Sequence, residues 1–410
     1  MATIVIGAGI IGVTIAYNLQ RRGRQVLLIE RDAPGKGASY GNAAMIAVTE
    51  FLPASRPSVW RRIPGWLLDP EGPVCVRPGY MGHLTPWFMR FIAASRPSKL
   101  RELEAQGAAL CTRVYDDLLP LLHETGLESE LTEAGSLSVY ESEAEFRADH
   151  EHIEILERFG LPYDVLGAAD IRAMEPALTD KIKIATLFPQ SRVMRDPYRL
   201  VTRLAACFAG IGGRITQGDV VGFERAERIQ AVRLKTGEVI PADEVVICAG
   251  AYSGRLARLL GEPIPLETER GYHTQIASPG ITLHHPLIYP ARAFVITPTA
   301  GGLRVGGTVE MAGLDAPPNY RRARVTVGYA QHLLPNLQVE GGVEWMGHRP
   351  ALPDTVPIIS ASAKTKGLFY ATGHGHLGLT YAATTGRLMA DLMTGVTPPL
   401  DLRPYRIDRF

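Results

Sequence analysis

Two glycine-rich stretches carry the strongest chemical signals in this chain. The first is Gly7-Ala8-Gly9-Ile10-Ile11-Gly12 in "IVIGAGIIG"; the second is "TGHGHLGLT", with Gly373, Gly375 and Gly378 set around His374 and His376. A glycine-rich entry to a helix suits an anion, because the first turn offers free N–H groups and the positive end of the helix dipole. In the first stretch each glycine has its own use. Gly7 permits the tight turn, Gly9 lets the backbone approach a pyrophosphate, and Gly12 lets helix and strand pack closely. Glu30 stands where the next strand ends, and a carboxylate there can accept hydrogen bonds from a ribose diol. A dinucleotide has one pyrophosphate, so the second stretch must serve something else.

Other chemistries lack their constellations. The histidines do not stand at metal-ligand spacing, and the Ser and Cys residues lack the third partner of a nucleophilic triad. Cys75, Cys111, Cys207 and Cys248 are far apart with no C-x-x-C pair, which fits reduced thiols in a cytoplasmic compartment.

The elements around the first loop are in register for a dinucleotide unit. Thr3 to Ile6 is a continuous apolar run, as a buried parallel strand should be; Val13, Ala16, Tyr17 and Leu19 recur at helical spacing; Gly23 suits a C-cap; Gln25 to Ile29 is a second strand. Arg31 beside Glu30 suggests a 2′-phosphate, but the acid would repel it. The following segment, "GKGASYGNAAMIA" (35–47), is a loop of small residues where a nicotinamide unit would enter its next crossover helix. Such a loop can run close against a flat ring system, which favours FAD. The second glycine stretch then answers to the other end of that cofactor. Its backbone would lie against the isoalloxazine ring, and the helix beginning near Thr380 would aim its positive end at the flavin N1 and C2 carbonyl, where charge accumulates on reduction.

The rest of the chain supports an α/β fold: a Rossmann-like FAD-binding domain with a central parallel sheet and a three-stranded meander, plus an α+β substrate domain with a large antiparallel sheet. Residues 219–224, 229–235 and 237–242 read as the meander, opening near Val220, and 244–254 as a buried strand running into Ala249-Gly250. Residues 86–125 read as helices, 135–140 as a strand and 142–159 as one charged amphipathic helix. Residues 261–345 alternate as a half-buried sheet does. The FAD-binding domain is expected from 1–50, 190–260 and 345–410, and the substrate domain from 51–189 and 261–344. Residues 51–85, rich in Pro, Trp and Arg, read as an irregular excursion: a packed loop, a cover over the site, a partner surface or a membrane-surface contact.

Composition sets bounds without choosing a reaction. The chain has 410 residues, 46% hydrophobic and 21% charged, enough to bury a sizeable core. A net charge of +1 gives no field that favours nucleic acid. No run outside the N-terminal strand and helix is long and apolar enough to suggest a membrane span.

Together, "IVIGAGIIGVTIAYNL", "GASYGNAAMIA", "GPVCVRPGY", "RGYHTQI", "MGHRPALPDTVPII" and "TGHGHLGLTYAATTGRLMADL" resemble the flavin-dependent D-amino acid dehydrogenases, within the wider group of D-amino acid oxidase, glycine oxidase and sarcosine oxidase. The resemblance runs nearly the whole length. It implies non-covalent FAD, held by Gly7, Gly9, Ile10, Ile11 and Gly12, by Glu30 and Arg31, and by Ala38, Ser39, Asn42, Ala43, Ala44 and Met45. Val220, Ala249 and Gly250 would follow, and then Gly373, His374, Gly375, His376, Leu377, Gly378 and Thr380. Members often have glycine where this chain has Ala44, whose extra methyl is expected near the flavin.

In the resembled family an Arg in a Gly-x-Arg-Pro setting binds the substrate carboxylate, which points to Arg349; its planar fork suits that partner. The alternative is an ion pair between Arg349 and Asp354. Tyr272 and His273 are further substrate-site candidates, of which strand alternation should turn one toward the flavin. The resemblance implies that hydride passes from Cα to the flavin N5, giving an imino acid that hydrolyses to a 2-oxo acid. No side-chain base is required if the amine binds neutral, so His273, His348, His374 and His376 are read as hydrogen-bonding or packing groups. The resemblance leaves open D-alanine-like, cyclic (D-proline, cis-4-hydroxy-D-proline), glycine and N-methyl glycine substrates. It also leaves open a quinone, a respiratory chain or O₂ as acceptor, a place as the flavin subunit of a larger complex, and peripheral contact with the inner membrane face through residues 51–85.

Overall fold

The apolar runs at the N-terminus and around residue 245 form the centre of a six-stranded sheet in the computed structural model, which describes residues 2–69 and 71–410. Its order is Arg214–Gln217, Gln25–Glu30, Ala2–Ile6, Glu244–Ile247, Leu368–Thr372, Ile358–Ala361. The first five strands run parallel, and the last pairs antiparallel with Leu368–Thr372. The strands are apolar without alternation because both faces are covered. Val5, Leu28, Val246 and Ala371 enter one core, under the helices Ile10–Arg21, Pro197–Gly210 and Ala382–Thr394. Ile4, Ile6, Val245, Ile247 and Tyr370 enter the other, under the meander Val220–Arg225, Ile229–Leu234, Val239–Pro241. Each fully buried Val or Ile contributes about 1.5–3 kcal/mol.

The chain's two ends are joined side by side. Thr14 Oγ1 donates to the Ala382 carbonyl at 3.0 Å, and Ala47 N–H donates to Thr380 Oγ1 at 3.2 Å. Gly386 faces Thr14 so closely that a Cβ there would stand 3.0 Å from Thr14.

A second sheet runs Val343–Ala351, Glu267–Ile276, Gly302–Met311, Phe294–Thr299, Leu287–Tyr289, Ser136–Tyr140, Ile184–Phe188, Asp164–Gly167. It is antiparallel except where Leu287–Tyr289 meets Ser136–Tyr140 and where Val74–Val76 lies parallel on Gly302–Met311. Two expectations need correction. Residues 142–159 form two helices, Glu143–Ala148 and His150–Arg158, broken at Asp149, whose carboxylate takes the Tyr140 hydroxyl at 2.8 Å. Residues 51–85 are less irregular than expected: they contain the helices Pro57–Trp60 and Ile63–Leu68 and the Val74–Val76 strand, ahead of the helix Met81–Ala94. No helix among the described residues is long and apolar enough to cross a membrane.

Candidate active site

One cavity of about 1040 Å³ runs between the two sheets, at the upper end of small-molecule sites, which span roughly 300–1,000 Å³. At one end stand Gly7, Gly9, Ile10 and Ile11, with Glu30, Arg31, Val220, Ala249 and Gly250. Its middle is walled by Ala38, Ser39, Asn42, Ala43 and Met45, and by His374, Gly375, His376, Leu377, Gly378 and Thr380. Arg349, Tyr272 and His273 line the far end. Residues remote in sequence thus meet because the parallel sheet places the ends of its strands on one side.

The glycine positions are dictated by close approach. Gly7 has φ +104°, and a Cβ there would stand 2.5 Å from the Cys248 carbonyl oxygen. A Cβ on Gly12 would meet the Gly7 carbonyl oxygen at 1.9 Å, so Gly12 serves helix–strand packing and does not itself line the cavity. Glu30 accepts from Ala8 N–H at 2.6 Å and Asp32 N–H at 3.1 Å, which fixes its carboxylate beside the loop. Ser39 Oγ accepts from Ile10 N–H at 2.9 Å, and Arg31 lies over the Tyr252 ring at 4.4 Å.

Ala44 and Gly373 do not line the cavity either. The Ala44 methyl is fully buried elsewhere, which corrects the expectation that it approaches the flavin. Ala44 instead adopts φ +59°, with its N–H on Asn42 Oδ1 at 2.8 Å and its carbonyl accepting from Met194 N–H at 2.7 Å. A left-handed backbone explains why glycine suits that position. Gly373, at φ +81°, is held against Leu352.

Arg349 is the half-buried cation of the far end. It pairs directly across from Glu269, and its guanidinium lies over Gly271, whose Cβ would come within 2.3 Å of Nη2. Nη1 donates to the Thr308 carbonyl at 3.1 Å. Thr308 has φ +56° and sits in a bulge where Arg270 pairs with Glu310 but Tyr272 with Gly307. Burial lowers the Arg349 pKa, and the charge of Glu269 opposes that shift. Asp354 is not its partner: that carboxylate pairs with Arg409, at 2.8 Å. A guanidinium with one backbone acceptor has donors left for a planar anion.

Tyr272 and His273 both border the cavity, but strand alternation sends their side chains to different partners. The Tyr272 hydroxyl donates to Glu310 and accepts from Asn319 N–H at 3.0 Å, so its proton is not free for a substrate carboxylate. It belongs to a buried network in which Arg270 donates to the carbonyls of Gly313, Ala316 and Pro317 and thereby fixes the 313–317 loop. His273 binds the Gly41 carbonyl through Nδ1 at 2.9 Å and stacks on Trp345 at 5.0 Å.

His273, His348 and His374 are held neutral. Burial, then the charge of Arg304, pushes His273 down to about 3; burial, then Arg270 and Arg31, pushes His348 to about 4; burial alone pushes His374 to about 3. His374 shares a hydrogen bond with Thr385 Oγ1 at 3.0 Å, and His376 is exposed. The Gly375 N–H donates to the Pro350 carbonyl at 2.8 Å, which ties the second glycine stretch to the strand carrying Arg349.

Several lining residues were not anticipated. Gly41 is required because a Cβ would stand 2.4 Å from Trp345 and 2.5 Å from His273. Arg304 donates to the Asn42 carbonyl at 2.6 Å and so anchors the small-residue loop to the second sheet. Trp66, Trp87, Phe88 and Phe91 wall the cavity from the 51–94 segment, so that segment covers the site. Gly41 lies in the small-residue loop already singled out; Arg304 and the aromatic wall had no local signal.

Comparison with known proteins decides what the cavity is for. Residues 2–392 match the family described as "DAO: FAD dependent oxidoreductase". The chain belongs to this family. It is an FAD-dependent oxidoreductase with the mixed parallel and antiparallel fold of that group. It is 34% identical to a D-amino-acid oxidase of Bradyrhizobium diazoefficiens, over 99% of this chain and 98% of that protein. It is 30% identical to a D-amino acid dehydrogenase of Methylobacterium radiotolerans over the full length of both. Among solved structures it is similar to glycine oxidase from Geobacillus kaustophilus, with a TM-score of 0.78, 21% identity and coverage of 100% and 98%.

The residues present fit FAD. The space over Gly9 and Gly375 is free of side chains near the backbone apart from Ser39, and the cavity is continuous from the Gly7–Ile11 loop to Arg349. The helix Ala382–Thr394 begins just beyond Gly378, Leu379 and Thr380, so its positive end is directed to the cavity's middle.

Proposed function

We propose that this enzyme oxidises D-amino acids to imino acids, which water then hydrolyses to 2-oxo acids. The observation that carries the reading is Arg349: a half-buried guanidinium lining the cofactor cavity, with a backbone carbonyl as its one hydrogen-bonded partner among the described residues. The D configuration is supported by the names of the relatives that match over the full chain.

Bound FAD supplies the two-electron acceptor for the Cα hydride. Arg349 binds the substrate carboxylate and fixes one end of the molecule. Gly271 and the Thr308 carbonyl hold that guanidinium in place, and the apolar wall of Trp66, Trp87, Phe88 and Phe91 excludes water. Neutral His273 and His374 position Gly41 and the last helix, and neither accepts the substrate's proton. The cofactor would be held at its pyrophosphate by Gly7, Gly9, Ile10 and Ile11, at a ribose by Glu30, and at its ring by Asn42, Ala43 and Met45 and by 374–380. A secondary amine such as D-proline presents the same carboxylate and Cα–H, so cyclic substrates fall within this reading.

The proposed division assigns 1–50, 190–260 and 345–410 to the FAD unit, supported by membership of the parallel sheet and meander. The strand Val343–Ala351, which that boundary cuts, pairs wholly within the second sheet. Electrons pass onward to a quinone or to O₂. Exposed Leu67, Met81 and Met89, beside exposed Arg61, Arg62 and Arg90, support a peripheral contact with an anionic membrane.

The test is a panel of D- and L-amino acids, D-proline, cis-4-hydroxy-D-proline, glycine and N-methyl glycine, assayed with an artificial acceptor and then in air. Reduction by D-amino acids and not by their L forms is expected. Turnover confined to glycine and N-methyl glycine would contradict the reading, and peroxide release in air would mark an oxidase.

A further inference from the structure

Arg349 is not alone on its strand face. Glu269 stands directly opposite it, so the two side chains leave the same side of the sheet. Arg349 turns its guanidinium along the strand to Gly271 and the Thr308 carbonyl. Glu269 is left lining the cavity with neither a hydrogen bond nor an ion pair among the described residues.

One step further along, Glu267 pairs with Ala351, whose carbonyl accepts the Trp87 indole N–H at 3.3 Å. Trp87 stacks on Phe91 at 5.2 Å, and Phe88 stacks on Phe91 at 6.1 Å. Along the strand pair the order is therefore guanidinium, Glu269 carboxylate, and then the Ala351 carbonyl that holds Trp87, with same-face positions roughly 6.8 Å apart.

In the empty site the half-buried Glu269 carboxylate is balanced by the charge of Arg349; once a substrate carboxylate occupies that guanidinium, Glu269 is left to be matched by a second cation. Aromatic faces favour the same kind of guest, and they also receive a hydrocarbon stem. Resting on the D-amino acid reading above, we infer that Glu269 sets substrate choice: it takes the cationic end of a basic D-amino acid whose stem lies on Trp87 and Phe91. Apolar D-amino acids leave that carboxylate unmatched and are disfavoured.

The experiment compares kcat/KM for D-lysine and D-arginine with that for D-methionine, in the FAD-loaded wild type, Glu269→Gln and Glu269→Ala. Each ratio is read on one preparation, so partial loss of folded enzyme cancels. The basic-to-apolar ratio is expected to fall about tenfold or more in both variants, the scale of one lost charge-assisted contact. An unchanged ratio overturns the inference, as does a wild type that oxidises D-methionine but neither basic substrate. An unchanged ratio with all three values lowered would place Glu269 at the α-amine. In both outcomes D-methionine turnover leaves the D-amino acid reading standing; absence of turnover with every D-amino acid removes both.

Discussion

The guanidinium of Arg349 rests on Gly271: a methyl at position 271 would stand 2.3 Å from Nη2 and 2.4 Å from Cζ. The strand Glu267–Ile276 thus provides, by an absent side chain, the seat for a cation that the neighbouring strand supplies. The same contact fixes which way the fork faces, because its other support is the Thr308 carbonyl across the bulge.

Gly271→Ala should therefore behave as a binding mutant. Displacing the fork forfeits a charge-assisted carboxylate contact of about 1.5–3 kcal/mol, or roughly 10- to 150-fold in KM. Steady-state kinetics on a D-amino acid, with the flavin absorbance as a check on loading, measures this. A KM within twofold of wild type would show that the fork finds another seat.

The first glycine loop, the meander and the place of Arg349 beside the cavity were legible because their signals are local. Strand, glycine spacing, helix and terminal acid follow one another within residues 3–30, and Arg349 sits in a short motif. What stayed hidden depends on long-range register. That Glu269 faces Arg349, and that Gly271 carries its guanidinium, follows from pairing between strands almost eighty residues apart in sequence. Tyr272 looked free because its partner Glu310 lies on another strand. The role of Ala44 was misread because a backbone angle, not a side-chain contact, decides that position.

That angle gives a second prediction. At φ +59° an L-residue pays about 1–2 kcal/mol of steric cost, and a β-branched one pays more. Ala44→Gly should leave stability unchanged or raise it by up to about 1 kcal/mol, because relief of strain offsets the lost methyl and the greater freedom of the unfolded chain. Ala44→Val should cost more than about 2 kcal/mol, since it is also fully buried. Urea midpoints of the two variants decide; a destabilised Ala44→Gly would contradict the account.

The neutral histidines make a third. His273 and His374 titrate at about 3 in the fold and His348 at about 4, against about 6.5 unfolded. Between those values the unfolded chain binds more protons, so their contribution is fully present above about pH 6.5 and is lost as pH falls toward 4 and then 3. Each contributes at most about 1.4 kcal/mol per pH unit in that window. His374→Gln should flatten the fall in stability between pH 7 and pH 5, and a slope identical to wild type would rule out this source. The pH profile of kcat/KM should likewise show no enzyme group titrating near 6.5.

The most direct test of the central claim is Arg349→Ala, assayed on the preferred D-amino acid and on the matching amine that lacks the carboxylate. The account predicts that KM for the amino acid rises about 10- to 150-fold, the range of one charge-assisted contact, while FAD stays bound and the poor rate on the amine hardly moves. An amino-acid KM that stays near the wild-type value with full FAD loading would show that Arg349 does not hold the substrate carboxylate.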